Sequence, residues 1–208
     1  MKAIATVVNN NQPGTQHIIE TAPNVTLDIG TKLCLAPLIE LPSIGAPFEG
    51  GFFGGEFMLA GERYVLVAAP KAEGERFNLE YKKNDRGTAD GTDSDDDGLA
   101  NSGRISDDNH PAAQFCRGLR IAGHDDWYLP SRDELAMLWR NLGPNRKNTP
   151  GLFQKGAAEA FAEDWYWSST EHASYSGYAW VVYFVDGGQG SYGKGYGFGV
   201  RAVRRLKI

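Results

Sequence analysis

The chain has 208 residues, 41% of them hydrophobic and 23% charged, which is enough apolar material for one large domain or one domain with a small N-terminal piece, and excludes a disordered chain. Twenty-six acids against 21 bases give a net charge of −5, which argues against a partner held by its phosphate backbone, so no nucleic acid is expected. The two cysteines, Cys34 and Cys116, supply neither a disulfide framework nor a four-cysteine zinc site. No apolar run reaches the roughly 20 residues needed to span a bilayer. Met1 to Gln16 lacks the basic start, apolar stretch and cleavage-like site of a secretion signal. The reading is a soluble protein with no membrane insertion, exported, if at all, by another route.

Residues 1–47 are short apolar runs broken by Pro13, Pro23, Pro37, Pro42 and Pro47, with weak strand candidates at Val25–Ile29 and Lys32–Ala36. They read as an N-terminal arm or small module for attachment or oligomerisation, which allows a homo-oligomer, and residues 48–208 as the main domain. Gly50 to Gly55 reads as turn chemistry leading into a buried strand over Glu62–Ala69, ended by Pro70. Between Asn84 and Asn109 stand eight aspartates and almost no large apolar side chain, so a loop is expected. Within it Asp93, Asp95 and Asp97, followed by Gly98, follow the first half of a calcium loop, and these three are the candidate metal ligands. Arg104 occupies the place of the closing glutamate, which leaves a solvated acidic loop as the alternative; no cofactor is required by this reading, and calcium is the one candidate.

Helical patterning begins at His110, with Pro111 suited to a first position and Phe115 and Leu119 on one face. Ser131 to Glu134 is a capping box, followed by Leu135, Leu138, Trp139 and Leu142 as a buried stripe that Gly143–Pro144 stops. A further helical piece is expected around Gly156 to Ala162. Residues 165–199 then hold six of the nine tyrosines, three of the five tryptophans, eight glycines and five serines. From His172 to Gly199 the formal charges are Asp186 and Lys194 alone.

In Tyr178 to Val185, alternation places Trp180, Val182 and Phe184 on one face and Val181, Tyr183 and Val185 on the other. The first face is expected to line the core and the second to face out. Asp186-Gly-Gly188 predicts a hairpin turn, Ser191 to Gly199 a display loop or edge, and Val200 to Arg205 a final strand. Tyrosine, serine and glycine in this proportion are the alphabet of adaptable binding surfaces, suited to a protein or glycan on a target cell surface; filling a small β-core is the competing use of the same residues.

Catalysis needs convergent titratable groups; His17 and His172 have no nearby partner pattern, and His110 and His124 flank a helix where a structural role outweighs a catalytic one, so no enzyme is expected. Arg201, Arg204, Arg205 and Lys207 are expected to pair with the acidic loop or the acids of the first helical turn.

The blocks Asp97-Gly-Leu-Ala-Asn101, His110-Pro-Ala-Ala, Asp126-Trp-Tyr-Leu-Pro-Ser-Arg-Asp-Glu-Leu135, Tyr166-Trp-Ser-Ser-Thr-Glu171, Ala179-Trp180, Phe184 with Asp186-Gly187, and Val200-Arg-Ala-Val-Arg-Arg205 resemble, in order and spacing, the DUF1566 (Lcl C-terminal) domain family, from roughly Gly50 to Arg205. The resemblance implies an α+β, C-type lectin-like fold: two main helices packed on small twisted, mostly antiparallel sheets with long loops, the C-terminal strands presenting a ligand. Some proteins of this class are variable proteins of diversity-generating retroelements of phages and mobile elements, displayed on a virion or cell surface, extracellularly. Their diversified positions would fall here on Ser174, Tyr175, Gly177, Tyr178, Val181, Tyr183, Val185, Gly190, Ser191, Tyr192, Gly195, Tyr196 and Phe198, within the ligand-binding segment 172–199. A lectin-like surface module without diversification is the alternative, and an enzyme of the formylglycine-generating type the next.

Overall fold

The computed structural model describes residues 40–208 together with two short strands, β1 (Ala5–Thr6) and β2 (His17–Ile18), which pair antiparallel. The strand candidates at Val25–Ile29 and Lys32–Ala36 lie outside the described residues. The chain divides by contacts into residues 1–38 and 39–208, so the boundary precedes the expected one at residue 47. The reason is local: Ile44 packs into the second unit's core, the Gly45 amide donates to the Phe53 carbonyl, and the Phe53 amide donates to the Ala46 carbonyl.

The second unit is α+β. One sheet has four strands in the order β11-β5-β4-β3, from β3 (Pro47–Phe48), β4 (Gly51–Leu59), β5 (Glu62–Ala68) and β11 (Val203–Lys207), all antiparallel. The other has five in the order β6-β10-β7-β8-β9, from β6 (Glu75–Glu80), β7 (Trp165–Glu171), β8 (Tyr178–Tyr183), β9 (Gln189–Gly193) and β10 (Gly197–Arg201). Only β10 against β7 runs parallel in these two sheets. The stretch Gly50 to Gly55, expected as a turn, is mostly β4: its glycines relieve crowding instead, because a Cβ at Gly54 would stand 2.8 Å from Leu138, and a bulge follows between Phe53 and Gly55.

Among the described residues there are four helices, α1 (Lys71–Gly74), α2 (Gly98–Arg104), α3 (Pro111–Arg117) and α4 (Arg132–Leu142). Helix α2 lies inside the acidic stretch expected to be loop. It forms because Asp97 caps it, its carboxylate accepting from the Ala100 amide, while Leu99 packs against the core. The capping box that starts α4 is present as expected, with Ser131 Oγ accepting from the Glu134 amide and the Glu134 carboxylate accepting from the Ser131 amide. The piece expected around Gly156 to Ala162 is not helical; a single 3₁₀ turn at Gly151–Phe153 precedes it.

The chain end is not one strand. Val200 and Arg201 finish β10, and at Ala202 the chain crosses to the other sheet, its amide bonding the Gly74 carbonyl and its carbonyl the Ala69 amide, both at 2.9 Å. This crossing puts β10 in the interior of the five-stranded sheet rather than at an edge. Glycine is tolerated there because a Cβ at Gly199 would stand 2.7 Å from the Phe77 ring.

The five-stranded sheet is buried on both faces. One apolar cluster holds Trp127, Leu129, Trp167, Ala179, Val181 and Val200 with α3; the other holds Tyr166, Val182 and Phe184 with Leu135, Leu138 and Leu142 of α4. No described helix is long and apolar enough to cross a membrane.

Candidate functional site

Strand β8 decides how the C-terminal segment is used. Val181 and Val182, neighbours pointing in opposite directions, both have no exposed surface. Val181 therefore is not a surface residue, contrary to the expectation for its face. Trp180, expected in the core, is half-buried. It lies on the side of Val182, but α4 begins at Arg132 and covers it only with that residue's guanidinium, 3.9 Å from the ring; His172 stacks on it 5.4 Å away at 11°. Arg132 Nε also donates to Gln189 Oε1 at 2.7 Å, fastening the start of α4 to β9.

On the other face of the sheet an aromatic row runs towards solvent. Tyr183 stacks on Trp165 at 4.7 Å, Trp165 meets Tyr192 at 5.2 Å, and Tyr192 meets Phe198 at 5.1 Å and Tyr196 at 6.0 Å. Tyr183, Tyr192 and Phe198 are half-buried by this stacking, and so is Val185. Gly190 and Ser191 sit on the edge strand β9. The turn from β7 to β8 carries Ser174, Tyr175, Gly177 and Tyr178, and is closed by hydrogen bonds from the Tyr175 amide to the His172 carbonyl and from the Tyr178 amide to the Tyr175 carbonyl. Tyr175, Tyr178 and Tyr196 expose 63%, 46% and 61% of their surface, and with Met58 and Leu152 are the exposed large hydrophobic side chains of the described residues.

Between the turn and β9 lies a shallow depression of about 410 Å³, walled by Arg86–Gly87 on one side and by Gly177, Gly193, Gly195 and Tyr196 on the other. At Gly195 a Cβ would stand 2.5 Å from Arg86 Nε, so a side chain there would shift the arginine and reshape the wall. Arg86 and Gly87 belong to the acidic loop and had no signal in the sequence pattern that would assign them to this surface.

Beneath the depression is a buried ion cluster. Lys194 Nζ, on a side chain with no exposure, donates to Asp90 Oδ2 at 2.7 Å, Glu171 Oε2 at 2.8 Å and the Thr88 carbonyl at 3.1 Å. Lys82 Nζ donates to Asp90 Oδ1 at 2.5 Å and Thr88 Oγ1 at 2.7 Å. Glu171 accepts in addition from the amides of Asp90 and Thr92. Burial alone would raise both carboxyls, but Lys194 and Lys82 outweigh it at Asp90, and Lys194 with the two amide bonds outweighs it at Glu171, holding both below their ordinary values. The signal for this cluster was present in the sequence: Lys194 is the lone base in an uncharged aromatic segment.

The candidate calcium ligands are not brought together. Asp97 is engaged by the α2 cap and by Arg205 Nη1 at 2.7 Å, Asp95 faces Arg132 Nη1 at 3.5 Å, and Asp93 is exposed. Among the described residues no group of three or more His, Cys, Asp or Glu side chains is placed to hold a metal. Of the C-terminal bases only Arg205 pairs with the acidic loop; Arg204 grips Asp126 through both carboxylate oxygens, Arg201 meets Glu75 and Glu159, and Lys207 meets Glu62. Cys116 is fully buried, and burial pushes its thiol well above the ordinary range.

The family model of the Lcl C-terminal domain matches residues 78–204, which takes in the acidic loop, α2 to α4 and all of the aromatic segment. No curated protein matches the chain.

Proposed function

Since the chain belongs to the Lcl C-terminal domain family, we propose that it is a non-enzymatic ligand-binding protein with a C-type lectin-like fold, whose contact surface is the turn and strand ends around Tyr175, Tyr178 and Tyr196. The observation that carries the reading is the exposure of these three rings in a segment whose two formal charges are Asp186 and the fully buried Lys194. Such a surface suits a partner that supplies apolar and hydrogen-bonding groups rather than compensating charge, a protein or a glycan on a target cell. Gly177, Gly190, Ser191 and Gly195 fit as adaptable positions around the rings. Val181 drops out of the contact set because it reaches no solvent, and Tyr183, Tyr192 and Phe198 contribute through the edges their stacking leaves free. Display on a virion or cell surface, and membership of the diversified class, belong to the same proposal.

Binding of the protein to target-cell preparations and to immobilised glycans tests it. Tyr178→Ala and Tyr196→Ala together are expected to weaken binding at least tenfold, as for central aromatic anchors. Unchanged affinity in that variant, with folding intact, overturns the placement of the surface. The diversified reading is tested separately by the gene: it requires a second copy of the segment encoding residues 172–199, bearing adenines at the codons for the exposed positions, beside a reverse transcriptase. An enzyme of the formylglycine-generating type has the least support, because Cys116 offers no accessible thiolate.

A further inference from the structure

The acidic stretch carries the pattern of a cation loop, and bases of the chain itself face three of its carboxylates. Lys82 and Lys194 face Asp90, Arg132 faces Asp95 and Arg205 faces Asp97, so bases from four places in the sequence meet the loop. Two of these bases are buried, and Lys194 is buried completely. Its three donors and the acceptors they meet are all used, and each Asp90 oxygen already holds one ammonium. A metal ion at Asp90 would compete with a lysine on either oxygen, and at Glu171 with Lys194 on one oxygen and two backbone amides on the other.

Lys194 also joins three segments through its backbone. Its carbonyl accepts from the Lys82 amide at 3.0 Å, and its amide donates to the Gly177 carbonyl at 2.9 Å. Ser176 Oγ donates to the Gly87 carbonyl at 2.6 Å, closing the same junction. The loop of residues 82–92, the turn before β8 and the end of β9 therefore meet at one residue, whose side chain adds the tie from Thr88 and Asp90 in the loop to Glu171 at the end of β7. Tyr175 and Tyr178 stand on the second of these segments, and Tyr196 follows the third.

We propose that Lys194 is the positioning residue of the tyrosine surface: a buried internal cation that fastens Thr88 and Asp90 of the loop to Glu171 at the end of β7, so that the surface is assembled without a metal. This rests on the binding role proposed above for those tyrosines. A fixed ammonium supplies three directed hydrogen bonds and a charge that neither chelation nor dilution removes. It also explains why a cation persists between two glycines in a segment otherwise free of bases.

The test is regional hydrogen exchange on the full chain, with no partner present. In Lys194→Met the amides of Asp90 and Thr92, which donate to Glu171, are expected to exchange at least tenfold faster, while those within β5 and β11 keep their rates. In the double variant Lys194→Met with Glu171→Gln, which restores the charge balance without the bonds, the fast exchange is expected to remain; full recovery of protection there would reduce Lys194 to a neutralising charge and overturn the proposal. Wild-type rates are expected to be the same in EDTA and in added calcium chloride. Faster exchange in EDTA, or protection regained by Lys194→Met on adding calcium, would assign the loop to a metal instead. Should Lys194→Met not fold, Glu171→Gln alone, which leaves the bond to Asp90, reads the same two amides, and unchanged exchange there overturns the clamp. These measurements use the free protein, so their failure is distinct from a failure of the tyrosine variants to lose binding.

Discussion

Strand β8 and the turn that leads into it are made from the same few residue types and are put to opposite uses. Val181, Val182 and Phe184 are sealed between two apolar clusters, while Tyr175 and Tyr178, a few residues earlier, have the most exposed rings of the region together with Tyr196. The difference is set by what lies over the sheet. Helix α4 and the α3 side cover the middle of β8, and the cover stops at Arg132, where α4 begins. Absence of charge in a strand thus has two physical causes, double burial and display, and only neighbours distant in sequence separate them.

The largest effect that can break this comparison is expected at Phe184, stacked on Phe161 at 4.3 Å within the sealed part. Phe184→Ala should cost about 3–5 kcal/mol in denaturant unfolding; a loss near zero would mean that the sheet is not covered on this face. Next comes Glu134, in the helix that provides the cover. It is fully buried, and burial pushes its carboxyl up to about 7 although Tyr128 Oη–H donates to it at 2.6 Å. The folded state therefore holds this proton more tightly than the unfolded chain. Stability from this group is complete below the ordinary carboxylate value and is lost as pH rises towards 7, by roughly 3 kcal/mol. Unfolding free energies measured from pH 5 to 8 check the sign, and Glu134→Gln should flatten that slope at a cost in stability.

Smaller effects sharpen the boundary between the two uses. Trp180→Ala removes a half-buried ring with its guanidinium contact and should cost about 1–2 kcal/mol, well short of Phe184→Ala. Tyr175→Ala, Tyr178→Ala and Tyr196→Ala should each leave unfolding within about 0.5 kcal/mol of the wild type. A large loss for any of the three would place its ring in the core and remove it from the contact surface.

Local chemistry was legible in the sequence wherever it is closed within a few residues. Ser131 and Glu134 satisfy one another across a single turn, Pro70 ends β5 because it cannot continue it, and Asp186-Gly-Gly188 makes the hairpin bend, with the Gly187 amide on the Tyr183 carbonyl at 2.7 Å. What was not legible depends on partners far along the chain. Asp97 and Leu99 make a helix in a stretch too acidic to predict one, because Arg205, over a hundred residues later, supplies the countercharge. Ser191 to Gly199 read as a display loop or an edge because glycine weakens a strand; Ser191 to Gly193 do lie on the edge strand β9, but Gly197 to Gly199 belong to β10 between β6 and β7, where its small residues admit the Phe77 ring. Of the surface itself, Tyr175, Tyr178 and Tyr196 could be picked out by composition, whereas Arg86 and Gly87 come to the depression through bonds to the Lys82 carbonyl, Glu80 and Ser176.

Strand β9 forms the outer margin of its sheet with the sequence Gln-Gly-Ser-Tyr-Gly. It is five residues long, has no β-branched side chain and bends away after Gly193, which makes it a poor template for the backbone of another molecule. Copies of this protein crowded together thus have little reason to stick through that margin, and rings exchanged at 175, 178 or 196 would leave it as it is. The three exposed rings and the margin of the sheet are separate parts of the chain.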